Sequence, residues 1–193
     1  GVDNDLVHNG GQNIEFWISG ANFGAIETAE NAVQAVIAAN PDKVKAAWGL
    51  TDFASHRDII VRSVESNHGK VPAGAMPVTD FARDKVKPGR GPVARMLFNH
   101  FDKPVLDKLV ADGTIYGYSL DVEAVHTDAP GTVWLVVVMP NLAAKDKVRA
   151  AMNAAWEKMP QWDREALDKV YDDTFDASAH RDSISQALMF KSK

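Results

Sequence analysis

The sequence predicts an α+β protein, and three observations predict it. A β-hairpin apolar on both faces occupies residues 115–139. Stretches with helical apolar spacing stand on either side of it. A β-like run precedes the first helical stretch and another follows the last. From Met76 onward the order is therefore β-α-β-β-α-β.

Each element has its own signal. Residues 76–86 (MPVTDFARDKV) read as a strand, with Pro77 suggesting a sheet edge. Lys87-Pro88-Gly89-Arg90-Gly91 is a turn. Residues 92–111 are helical: Val93, Met96, Leu97 and Phe101, then Val105, Leu106, Leu109 and Val110 share one side. Pro104 should kink or split that helix, and Gly113 sits where a helix-ending glycine belongs. The hairpin strands are 115–126 and 132–139, joined by Thr127-Asp128-Ala129-Pro130-Gly131. Helices follow over 145–157 and 160–173, and residues 183–190 read as a final strand, with a terminal helix as the alternative. This order is the split βαβ, or ferredoxin-like, topology: an antiparallel four-stranded sheet with helices on one face. The hairpin's second apolar face then needs a cover, from another copy or from the N-terminal half.

Upstream, residues 1–12 read as a flexible tail. Residues 14–19 and 59–64 are short β-like runs. Between them a helix is expected over 27–39, capped by Thr28. Pro41 opens a second helical piece. The segment Asp52-Phe53-Ala54-Ser55-His56-Arg57-Asp58 echoes Asp176-Ala177-Ser178-Ala179-His180-Arg181-Asp182. The echo suggests a strand–helix–strand half-repeat. The expected organisation is a tail (1–12), an N-terminal half-unit (13–70) and a ferredoxin-like domain (75–191).

The Val86-Lys87-Pro88-Gly89-Arg90 turn between strand and helix, the long hairpin and the helix after it resemble the dimeric α/β-barrel superfamily, which includes antibiotic-biosynthesis-monooxygenase-like domains. The resemblance spans about residues 76–190. It implies two sheets packed face to face, usually across a homodimer, around a pocket. An intramolecular barrel built from the two halves is the other arrangement. Activities in the superfamily are too varied to transfer one.

Composition removes whole classes of function. The 193 residues carry 21 Lys and Arg against 26 Asp and Glu, a net charge of −5. That charge argues against nucleic acid and against an anionic membrane surface. With no cysteine there is no thiolate catalysis, iron–sulfur cluster or disulfide. The longest apolar run, 133–139, has strand length and cannot cross a membrane as a helix. The chain opens on Gly1 rather than Met. The expectation is a processed or truncated protein, with export and signal-peptide removal as one explanation.

The motifs point to a pocket rather than to a named reaction. His-Arg-Asp occurs twice, but a kinase loop needs Asn five positions on, where Ser63 and Ala187 stand. Gly89-Arg90-Gly91 lacks the third glycine of a phosphate loop. Gly117-Tyr118-Ser119-Leu120 lacks the second glycine of a hydrolase elbow. The six histidines form no metal-ligand spacing, so neither metal nor cofactor is expected. His56, Arg57, His180 and Arg181 are candidates for holding an acidic ligand, and the bland alternative makes them helix-end and strand-start devices. Trp134 joins them as a candidate wall. His126, Tyr116 and Tyr118 are the candidate catalytic groups; the hairpin aromatics are otherwise core or interface. A small-molecule-binding domain is expected first. A cofactor-independent oxygenase or isomerase is the alternative, and a purely structural assembly domain the third.

Overall fold

The computed structural model describes residues 2–7, 14–52, 54, 59–125 and 130–189. It contains one seven-stranded sheet whose paired neighbours all run antiparallel. In chain order the strands are β1 (Val2–Val7), β2 (Ile14–Phe16), β3 (Val61–His68), β4 (Val78–Lys85), β5 (Gly117–Glu123), β6 (Thr132–Met139) and β7 (Arg181–Met189). The helices are α1 (Phe23–Ala39), α2 (Pro41–Trp48), α3 (Gly91–Leu97), α4 (Lys103–Ala111), α5 (Ala143–Glu157) and α6 (Gln161–Thr174). The sheet order is β2-β1-β7-β4-β6-β5-β3. Its middle, β7-β4-β6-β5, is the ferredoxin-like sheet with its βαββαβ connectivity intact.

Register decides which side chains meet the helices. Val78, Tyr118, Leu120, Val137 and Met139 fall on one face through the β4–β6 and β5–β6 pairings. Phe98 after α3, Leu106 and Leu109 of α4, and Ala144 of α5 close over them as a single core. Burying side chains of this size contributes about 1.5–3 kcal/mol each, so this layer dominates the stability of the domain. The opposite face carries Thr79, Phe81 and Arg83 of β4 beside Trp134, Val136 and Val138 of β6. On that face Trp134, Thr79, Asp121, Thr132 and Ser185 are buried within the single chain.

Four local expectations change. Pro77 suggested an edge, yet β4 is central, because Pro77 stands just outside the strand and its carbonyl accepts from the Ala187 N–H at 2.9 Å. The ladder thus loses no donor. Residues expected as tail form β1, which pairs with β7 and β2; main-chain pairing along an open edge needs no apolar side chains. Asn22, not Thr28, caps α1: its Oδ1 accepts from Ala25 N at 2.9 Å, while the Thr28 hydroxyl donates to Gly24 O at 2.8 Å. The strands of the N-terminal segment also lie apart, β2 at one edge and β3 at the other.

The helix expected over 92–111 splits. Between α3 and α4 the chain makes a π-helical turn, Phe98–Asp102, with Lys103 N–H bonding back to Phe98 O. The cause is Pro104, which has no N–H for the carbonyl four residues earlier and whose ring crowds it. The wider turn places Asp102 against the sheet at the wall of a cavity.

Candidate functional site

The cavity lies on the helical side of the sheet and has a volume of about 1630 Å³. Its floor is Leu120, Val122, Val133 and Leu135. Those residues share a face because Leu120 pairs with Leu135 and Val122 with Val133. The α3–π-turn segment roofs one side with Ala94, Leu97, Phe98 and Asp102. The end of α6 and the segment after it supply Tyr171, Phe175 and His180. The Lys87–Arg90 turn holds the start of α3 in place, with Arg90 N–H bonding Lys87 O at 3.0 Å. Gly89 takes φ +77° there. Pro before a positive-φ glycine is what such a tight turn requires.

Polar groups gather at one wall. The Asp102 carboxylate accepts a hydrogen bond from the Tyr171 hydroxyl. Burial pushes the Asp102 pKa up to about 6, against the pull of that hydroxyl, and the charge on Asp84 adds to the rise. Tyr171 is itself raised by burial and by the carboxylates of Asp102 and Asp84. Its ring stacks on Phe175 at 5.6 Å between centroids. Asp84 lies 2.7 Å from His180 Nδ1, and Asp182 lies 3.3 Å from Nε2. Those carboxylates hold the imidazole above its usual pKa, the Asp84 hydrogen bond most of all, against partial burial. At the far side Arg62 reaches the cavity from β3, level with Val122.

The residues singled out in the sequence are dispersed. His180 lines the cavity. Its neighbour Arg181 is in register with Arg83 on the opposite face, and its guanidinium donates to Ser178 O and His180 O. Trp134 also lies on that opposite face, between Arg83 and Asp121. Tyr118 is fully buried in the core, and its hydroxyl donates to Asp107 Oδ1 at 2.6 Å. Tyr116 is half-buried just before β5 and does not line the cavity. His56, Arg57 and His126 lie outside the described residues. Among the described residues no group of three or more His, Asp or Glu is placed to hold a metal ion. No helix there is long and apolar enough to cross a membrane.

Asp84, Asp102 and Tyr171 were missed, and Asp102 had a legible signal. It stands four residues after Phe98 and four before Leu106, both core side chains. A carboxylate on an apolar helical stripe is costly unless something uses it.

No family model and no curated protein matches the sequence. Comparison with solved structures finds similar folds at low identity. A NIPSNAP family protein from Agrobacterium tumefaciens is 11% identical with a TM-score of 0.43, over 65% of this chain and 97% of that one. A ferredoxin-fold protein related to antibiotic biosynthesis monooxygenases, from Listeria monocytogenes, is 10% identical with a TM-score of 0.43, over 70% of this chain and 69% of that one. A heme-degrading enzyme from Listeria monocytogenes is 9% identical with a TM-score of 0.41, over 69% and 74%.

Proposed function

We propose that the chain is a small-molecule-binding domain whose site is the cavity between the sheet and the α3–π-turn–α6 wall. The observation behind this is the cavity itself, about 1630 Å³ with an apolar floor and polar groups along its walls. Ligand sites combine these features: apolar area supplies affinity, and sparse polar groups set orientation. On this reading residues 75–191 are the binding domain and 13–70 an appended segment. The test is titration with the fluorescent probe 1-anilinonaphthalene-8-sulfonate. Val133→Trp fills the cavity floor and should abolish the saturable site, whereas Val36→Ser on exposed α1 should preserve it. Equal binding by all three proteins would remove the proposal.

Self-association is a second reading, and a separate observation favours it. In the N-terminal half Phe16 is 79% exposed and Leu50 90% exposed, with Phe23, Val36 and Trp48 also exposed. Neither α1 nor α2 buries a residue. Large apolar side chains exposed in this number are a mark of an interaction site. Sedimentation equilibrium should give twice the 21.0 kDa chain mass; a monomer at high concentration would exclude a homodimer.

A further inference from the structure

We propose that Asp102 is a general base presented to whatever occupies the cavity, with Tyr171 as its positioning residue. The substrate class is an apolar molecule bearing a weakly acidic proton, such as a C–H beside a carbonyl or a phenolic O–H. The inference rests on the cavity being a binding site and adds a reaction to it.

Several carboxylates of this protein are neutralised by a neighbouring cation. Asp80 is paired with Lys145. Asp107 takes Lys103 at 2.6 Å, and Glu65 takes Arg95 at 2.5 Å. Asp102, like the buried Asp121 on the opposite face of the sheet, pairs with no Lys or Arg among the described residues, and unlike Asp121 it lines the cavity. Its one described donor is the neutral Tyr171 hydroxyl. It lines an apolar cavity beside Leu97, Phe98 and Phe175. A structural carboxylate sunk in such surroundings would be neutralised or replaced. An unneutralised one is poised to take a proton, since poor solvation makes the anion more basic.

The geometry around it fits that task. The π turn is an irregularity of the sort that re-aims a side chain at a site. The Tyr171 hydroxyl donates to the carboxylate, and the Tyr171 ring stacks on Phe175. The charged or titratable groups lining the cavity with Asp102 are Asp84 and Lys85 from β4, Lys87 from the turn, Arg95 from α3, His100 from the π turn, Glu123 from β5, Tyr171 and Asp172 from α6, His180 before β7 and Arg62 from β3. Lys87 is engaged with the Asp172 carbonyl and His180 with Asp84. Neither is bonded to Asp102.

The test uses 5-nitrobenzisoxazole, an apolar probe that reports on carboxylate bases. The base takes the proton from C3, and the C–H electron pair becomes part of the new nitrile. The N–O bond breaks, and its pair leaves on the phenolate oxygen. Nothing is oxidised or reduced from outside. The wild type should turn the probe over with saturation, on the order of 100-fold faster than Asp102→Asn. The pH profile should rise with a midpoint near 6. Tyr171→Phe removes a hydrogen bond that favours the anion, so it should move the midpoint upward. If Asp102→Asn matches the wild type in rate yet both bind the fluorescent probe, the base assignment is overturned and the binding site stands. If the wild type binds no probe, both fall.

Discussion

His180 Nδ1 stands 2.7 Å from the Asp84 carboxylate, joining the start of β7 to the end of β4 at the cavity wall. The hydrogen bond to Asp84 is the main cause that raises the His180 pKa, with partial burial opposing it. A base whose pKa is higher folded than unfolded adds stability below its unfolded value, near 6.5, and that stability is lost as pH rises through the folded value. His180→Gln should therefore destabilise the protein at about pH 5.5 and have little effect at about pH 9. Both side chains are partly solvated, so the cost is under about 1 kcal/mol. Urea unfolding at the two pH values measures it; an equal loss at both would show that charge is not involved.

A second prediction concerns the polar cluster that ties edge strand β3 to α4. Asp107 Oδ1 accepts from Tyr118 at 2.6 Å and from Asn67 at 2.7 Å, and Oδ2 faces Lys103 at 2.6 Å. Burial pushes the Asp107 pKa up, but Lys103, Tyr118 and Asn67 together hold it below the ordinary carboxylate range. Burial and the Asp107 hydrogen bond push the Tyr118 phenol up to about 12. Tyr118→Phe should cost about 1 kcal/mol. Asp107→Ala should cost about 2 kcal/mol or more, because it leaves buried donors unpaired. The Asp107 contribution is present above pH 4 and fades as pH falls through its depressed folded value. The wild type should therefore lose stability more steeply as pH falls below about 4, and Asp107→Ala should flatten that limb. A double-mutant cycle that sums to zero coupling would refute the shared role.

How far this could be read from the sequence depends on whether a feature is periodic or convergent. Tyr118, Leu120, Val137 and Met139 alternate along strands, so the hairpin and its core face were visible, as was the break at Pro104. The βαββαβ order needed only element order, and it appears in the sheet as β7-β4-β6-β5. The pairing of residues 2–7 with β7 was invisible because main-chain hydrogen bonds leave no side-chain pattern. The site was hidden for another reason. Asp84, Asp102, Tyr171 and His180 come from four separate segments, and only the pairing of β4 with β7 beside the π turn and the end of α6 brings them together. Trp134 and Tyr118 drew notice because aromatics in a strand are conspicuous. Register then turned Trp134 away from the cavity, and Tyr118 went into the core.

Asp102 yields the last prediction, one in which stability and reactivity should move in opposite directions. Its folded pKa lies near 6 against an ordinary value of 3.8, chiefly through burial. Here the folded state binds the extra proton, so the sign is the reverse of that for Asp107. Between about pH 4 and 6 stability falls as pH rises, and above pH 6 the full cost of holding the anion is present. A shift of this size corresponds to about 2–3 kcal/mol, an upper limit because the cavity admits some water. Asp102→Asn keeps the shape and an acceptor for the Tyr171 hydroxyl while removing the charge. It should therefore stabilise the protein by roughly 1–2 kcal/mol at pH 8 and leave it nearly unchanged at pH 4. Urea unfolding at the two pH values gives the comparison. A variant that unfolds more readily at pH 8 would mean that the carboxylate holds the fold together, and the role assigned to it in proton transfer would lose its main physical support.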